Sequence, residues 1–154
     1  MSTQVSGKDL RRLMLGAKVD RPTAALPQTA TGTLFNVTGG RVLVTSITGQ
    51  VTTSIQAQAN AIKLVATPSG AGAVNDLCAT VDVNGLAAGG LVTITGLAGD
   101  VAVKSTGGGA SGQRNPIVVA PGAIGLNTAA SNTGSMKWTL TYVPLDDGAS
   151  VSAA

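Results

Sequence analysis

Histidine and glutamate are absent from this chain of 154 residues, and Phe35, Trp138 and Tyr142 are its whole stock of aromatics. Without histidine there is no Ser-His-Asp triad and no His-ligated zinc site. Without glutamate, and with charged residues at only 11%, the chain lacks the composition of a coiled coil or a long helical protein. Cys78 is the single cysteine, which excludes an internal disulfide. With no histidine to activate it, its expected role is that of a small buried hydrophobe in a strand. No apolar run reaches membrane-spanning length. Leu13-Met14-Leu15 follows a basic start, but this run is too short for the apolar core of a signal peptide. The protein is therefore expected to be made in the cytoplasm of its host and kept without secretion.

What is present is glycine, at 21 residues, in a background of alanine, threonine and valine. Mean hydropathy is positive and the net charge is only +3, a balance that argues against disorder. The length suits one domain with a real core. Charge is unevenly placed. Residues 1–21 hold Lys8, Arg11, Arg12, Lys18 and Arg21 against Asp9 and Asp20, whereas the remainder is balanced. The basic character thus belongs to an N-terminal arm and not to a domain face. The body shows neither clustered cations nor stacking aromatics, so direct nucleic-acid binding is not expected; a protein surface is the expected partner of the arm.

Along the chain, residues 1–28 read as one region. Ser6 followed by Asp9 resembles a capping box with aspartate in place of glutamate. Leu10, Leu13 and Met14 then recur at helical spacing, and Gly16 can end the turn. Such a short amphipathic helix is unstable alone in water, so it must dock on something. Arg21-Pro22 and Leu26-Pro27 favour extended backbone, which makes 17–28 an arm or linker.

From about residue 29 the pattern becomes short strands between turn residues. Gly39-Gly40, Gly49-Gln50 and Asn84-Gly85 read as close reversals or hairpins. Pro121-Gly122 reads as a turn, and Thr106 to Gln113 as a flexible glycine-rich loop. The clearest strand comes last: Met136, Trp138, Leu140 and Tyr142 alternate with Lys137, Thr139, Thr141 and Val143. Those four, with Phe35, are the expected heavy residues of the core. Eight to ten short strands imply an all-β antiparallel two-sheet sandwich or a jelly-roll-like barrel over 29–145. The strand order stays open at this point. Residues 146–154 read as a flexible tail of small residues.

No catalytic, cofactor or metal site emerges. The run Gly107 to Arg114 spaces glycines as a phosphate loop does, yet Gln113 stands where lysine is needed, and Asn115-Pro116 blocks the following helix. Asp76, Asp82, Asp100, Asp146 and Asp147 match no calcium-loop spacing and read as turn formers. Asn36-Val37-Thr38 is a glycosylation triplet without a secretory context. Three aromatics cannot line much of a sugar cleft, which leaves a carbohydrate-binding or sugar-cleaving module as the weakest reading.

Two segments carry a resemblance. Leu34-Phe35-Asn36-Val37-Thr38-Gly39-Gly40-Arg41-Val42 and the ending Asn132-Thr133-Gly134-Ser135-Met136-Lys137-Trp138-Thr139-Leu140-Thr141-Tyr142-Val143-Pro144-Leu145 look like those of small β-rich structural proteins of tailed bacteriophages. This resemblance implies a virion component, foremost a capsid decoration (cement) protein. It would sit on the capsid exterior as a homotrimer, bound to the major capsid protein. Lys8, Arg11, Arg12, Lys18 and Arg21 would pair with acidic capsid groups, while Leu10, Leu13 and Met14 fill an apolar groove. A tail-tube, baseplate or fibre component is the alternative.

Overall fold

Chain alternation between two layers is the organising feature of the computed structural model, which describes residues 4–154. After helix α1 (Gly7–Leu15) come β1 (Ala17–Ala25), β2 (Thr31–Thr38), β3 (Val42–Thr53), β4 (Ala61–Pro68), β5 (Asn75–Asp76) and β6 (Val81–Asp82). Then follow β7 (Leu91–Thr93), β8 (Val103–Ser105), β9 (Ile117–Val119), β10 (Gly122–Thr128), β11 (Ser135–Pro144) and β12 (Ser150–Ala153). Sheet A runs β1-β11-β3-β7-β8, with β9 also beside β3; sheet B runs β12-β2-β10-β4-β5, with β6 also beside β4. All these pairings are antiparallel. The chain is an all-β two-sheet sandwich and does not close into a barrel.

The pairing has a simple rule. β1 pairs with β11 in sheet A, β2 with β10 in sheet B, and β3 with β9 in sheet A again. β4 then takes β5 and β6 in sheet B. This is one long antiparallel ribbon, folded back near β5–β6 and rolled so that successive rungs fall in opposite sheets. That order is the two-sheet jelly roll, and β12 is added at the outer side of β2.

Three glycine-bearing turns behave differently from the hairpins expected of them. Gly39-Gly40 joins β2 in sheet B to β3 in sheet A, so it is a corner between layers. Gly39 takes φ +78, with the Gly148 carbonyl pressed where a Cβ would be. Asn84-Gly85 likewise sits between β6 of sheet B and β7 of sheet A. Gly49-Gln50 is no reversal at all, because β3 runs unbroken through it. Gly49 lies opposite Trp138 in the β3–β11 register, and a Cβ there would stand 2.7 Å from the indole ring. The glycine makes room for the ring.

The core fills the space between the sheets as one cluster. Phe35, Met136, Trp138, Leu140 and Tyr142 are all buried, as are Ile47, Ile62, Ile94, Ile124 and Leu126. Cys78 is buried as well; burial pushes its thiol up, and its Sγ accepts from the Leu64 amide at 3.4 Å. At one end two buried amides tie loops together. Asn60 Oδ1 accepts from the Ala129 and Ala130 amides, and Asn132 Nδ2 donates to the Gln56 and Gln58 carbonyls.

Two boundaries differ from expectation. Residues 17–25 are not linker: β1 forms the edge of sheet A against β11, and Leu26 beyond it is buried. Extended backbone favoured by Pro22 serves an edge strand equally well, since an edge needs no donor on its outer side. Residues 146–154 are not a flexible tail. Asp146 takes the Arg41 guanidinium at 2.8 and 3.0 Å and the Arg41 amide at 2.7 Å. Ala149 and Val151 are buried, and Ser150–Ala153 pairs with β2. Pro144 ends β11, but the ion pair returns the chain to the second sheet.

Two outcomes follow. Trp138→Ala should lower the unfolding free energy by about 3–5 kcal/mol, read by chemical denaturation. The Arg41 side chain and then the Arg41 amide hold the Asp146 carboxyl down at about 2. A carboxyl depressed in the fold contributes stability above its unfolded value of about 4, and loses it as pH falls. The thermal-stability gap between wild type and Asp146→Asn should therefore be full at neutral pH and close between about pH 4 and 2; a gap independent of pH would show that the pair contributes nothing through charge.

Candidate interaction surface

Helix α1 is built as its sequence directs. Ser6 caps it: its Oγ accepts from the Asp9 amide at 3.2 Å and donates to Asp9 Oδ2 at 2.7 Å. Gly16 ends it with φ +90, its amide on the Arg12 carbonyl at 3.0 Å. A side chain at this position would collide with the Tyr142 carbonyl, so only glycine lets the helix fold back so close to β11. The Thr45 hydroxyl donates to the Leu15 carbonyl at 2.6 Å and pins the C-terminal end on the outer face of sheet A. Beneath it, Thr141 is buried and shares short hydroxyl contacts with Thr45 and Ser46.

The orientation of α1 is the unexpected part. At 100° per residue, Arg11 and Leu15 share one side, about 130° around the helix from the stripe of Leu10, Leu13 and Met14. Arg11 is half-buried and Leu15 is 37% exposed, whereas Leu13 and Met14 are 80% and 79% exposed and Leu10 50%. The helix therefore rests on the domain by its Arg11–Leu15 side and lifts its apolar stripe into solvent. This nine-residue helix leaves its apolar face uncovered by its own domain.

The five cations expected to act together are dispersed. Lys18 lies in β1, paired with Asp20 at 2.8 Å. That bond, a second from Thr139 at 2.8 Å and the nearby charges of Lys18 and Arg11 hold the Asp20 carboxyl below its ordinary value. Arg21 sits opposite Trp138 in the β1–β11 register and lines a narrow cleft with Leu26, Leu34, Met136 and Trp138. The Nε atoms of Arg11 and Arg21 are buried without a hydrogen-bond partner. Lys8 and Arg12 remain exposed and outside any ion pair among the described residues. The surface that α1 offers is thus more apolar than cationic.

A second apolar feature lies on the same outer face and escapes a reading by alternation. Val143, Leu43 and Val118 are direct partners across β11, β3 and β9. Val143 is 39% exposed, Val118 58%, and Leu43 half-buried. The signal for them was unbroken apolar runs (Val42-Leu43-Val44 and Ile117-Val118-Val119), which place a hydrophobe on both faces of a strand.

The remaining polar groups serve structure. Asp76 pairs with Lys63 at 2.8 Å, and Asp100 accepts from Thr95 at 2.7 Å. Asp82 Oδ1 takes the amides of Asn60 and Asn84, which hold its carboxyl below the usual range. Among the described residues no three His, Cys, Asp or Glu side chains come together as metal ligands, and no helix is long and apolar enough to cross a membrane. The glycine-rich loop leads to β9 and not to a helix; Thr93 holds it at the Ser111 carbonyl, and Gln113 donates to the Val44 carbonyl at 3.1 Å. Asn36 lies within β2, flanked by β10 and β12.

Comparison with known proteins finds no matching family model, no matching curated protein and no matching solved structure. Ser6→Ala should remove both side-chain bonds at the helix start, to the Asp9 amide and to Asp9 Oδ2, and cost about 1 kcal/mol there. Exchange at the Asp9 and Leu10 amides should then quicken about fivefold, with the sandwich amides unchanged.

Proposed function

We propose that the chain is a virion structural protein, a capsid decoration (cement) protein. It binds the outer surface of a phage's major capsid lattice and stabilises it, its N-terminal arm clamping neighbouring subunits. The observation that carries this reading is α1, a capped helix whose Leu10, Leu13 and Met14 face away from their own domain. The bacteriophage-like segments, the compact jelly roll and the use of charged side chains in turns and ion pairs support it. The mechanism is linkage: a clamp that binds only the assembled lattice stabilises that lattice by mass action. Weak contacts repeated by symmetry add up through avidity. Apolar burial by α1 is the main attraction, and Lys8 and Arg12 add charge steering toward acidic subunits.

Features of the fold weigh against the competing roles. A tail-tube or baseplate ring made by sheet extension needs a long free edge. Here β1 carries Pro22 and the Lys18–Asp20 pair, β12 has four residues and β8 three. A carbohydrate-binding module needs exposed aromatic platforms, whereas Phe35, Trp138 and Tyr142 are buried.

Because Ala17–Arg21 belongs to sheet A, the informative truncation removes residues 1–15 and spares β1. Full-length protein should co-sediment with undecorated heads of the encoding phage in hundreds of copies per particle. The truncated protein should keep its β-sheet circular dichroism and stay in the supernatant. Undiminished binding by the truncated form would reject the arm's role, and a few copies per particle would favour a fibre or baseplate.

A further inference from the structure

We propose that β12 is a latched cover strand, which lifts from the edge of β2 as a unit while the sandwich stays folded, and that the clasp of Arg41 on Asp146 is its latch. This takes nothing from the proposed function.

Little besides the latch and a short ladder holds the segment. β12 has one strand neighbour, β2, and four residue pairs with it, from Ser150–Thr38 to Ala153–Phe35. Only Ala149 and Val151 bury apolar side chains there, and both are small; Ser150, Ser152 and Ala153 are exposed. β11, by contrast, is paired on both sides and buries Met136, Trp138, Leu140 and Tyr142. So little apolar burial offsets only part of the conformational entropy lost in ordering residues 147–154. A segment of this kind opens at the low end of a protein's range of local stabilities.

The latch has a seat shaped for it. Besides the three bonds from Arg41 to the Asp146 carboxylate, the Leu145 and Asp146 amides donate to the Arg41 carbonyl at 3.0 and 3.4 Å. Gly40 leaves the space: a Cβ there would stand 2.6 Å from Asp146 Cβ. Between latch and strand lies Gly148 at φ +83, with nothing within 4 Å of where its side chain would start. It is a natural pivot.

What the strand covers gives the latch its purpose. β2 has eight residues, and on the side away from β10 its pairing partner in sheet B is β12. β12 also lies beside β1, so it closes one side of the sandwich. The other outer edges are short or guarded: β8 has three residues, β5 two, and β1 carries Pro22 and the Lys18–Asp20 pair. Lifting β12 bares the longest unguarded edge among the described residues, the kind of edge with which other strands pair.

The test is native-state hydrogen exchange of the full chain, followed amide by amide at low denaturant. In wild type, the amides in the β12–β2 ladder should exchange at least about a hundredfold faster than those between β3 and β11, and respond little to denaturant. Asp146→Ala should quicken the β12 amides about fivefold further. Asp76→Ala, which breaks the Lys63 pair elsewhere in sheet B, should leave them at the wild-type rate. The proposal is overturned if the β12 amides exchange only together with those of β3 and β11. It is equally overturned if Asp146→Ala leaves them unmoved, or if Asp76→Ala quickens them as much.

Discussion

Seating Trp138 on Gly49 is the contact around which sheet A is assembled. With so few aromatics, the inter-sheet space is filled by thin aliphatic side chains, and one indole supplies a large share of the bulk. It fits because the opposing residue of β3 has no side chain. β11 in turn holds β1 on one side and β3 on the other, so the ring's placement fixes the register of three strands. A one-residue slip would send Met136, Trp138, Leu140 and Tyr142 to solvent and bring Lys137 inside.

Much of this was legible in order along the chain. The period of two in Met136–Tyr142 gives both the strand and its buried face. Ser6, Asp9 and Gly16 mark the two ends of α1, since capping is a local interaction written in adjacent residues. What local chemistry does not carry is the choice of partner. A glycine pair bends the chain equally well into a hairpin or across to the other sheet, and at Gly39-Gly40 the Arg41–Asp146 pair, made over a separation of 105 residues, accompanies the crossing. The last residues look like tail because their hydrophobes are sparse; burial of Ala149 and Val151 is enough once β2 offers an edge and Asp146 is clasped by Arg41.

The candidate surface was half legible. Helical spacing groups Leu10, Leu13 and Met14, but it says nothing about which side rests on the domain. Counting cations in residues 1–21 suggested a cationic grip, whereas the fold draws Lys18 and Arg21 into a strand and turns Arg11 inward. The Thr45–Leu15 bond and the close approach of Gly16 to β11 fix the helix and leave aliphatic groups outermost. The outward side of α1 is therefore aliphatic, beside a hydroxyl-rich stretch of sheet A.

The ribbon's pairing rule also dictates when this molecule can fold. β1 finds its partner in β11, far along the chain, and β2 must wait for β10 and β12. β4 has its mates β5 and β6 close behind it, but β1 and β2 pair across long separations, which puts the chain among slow folders. Until those pairings form, the unpaired edges stay open to association with other chains.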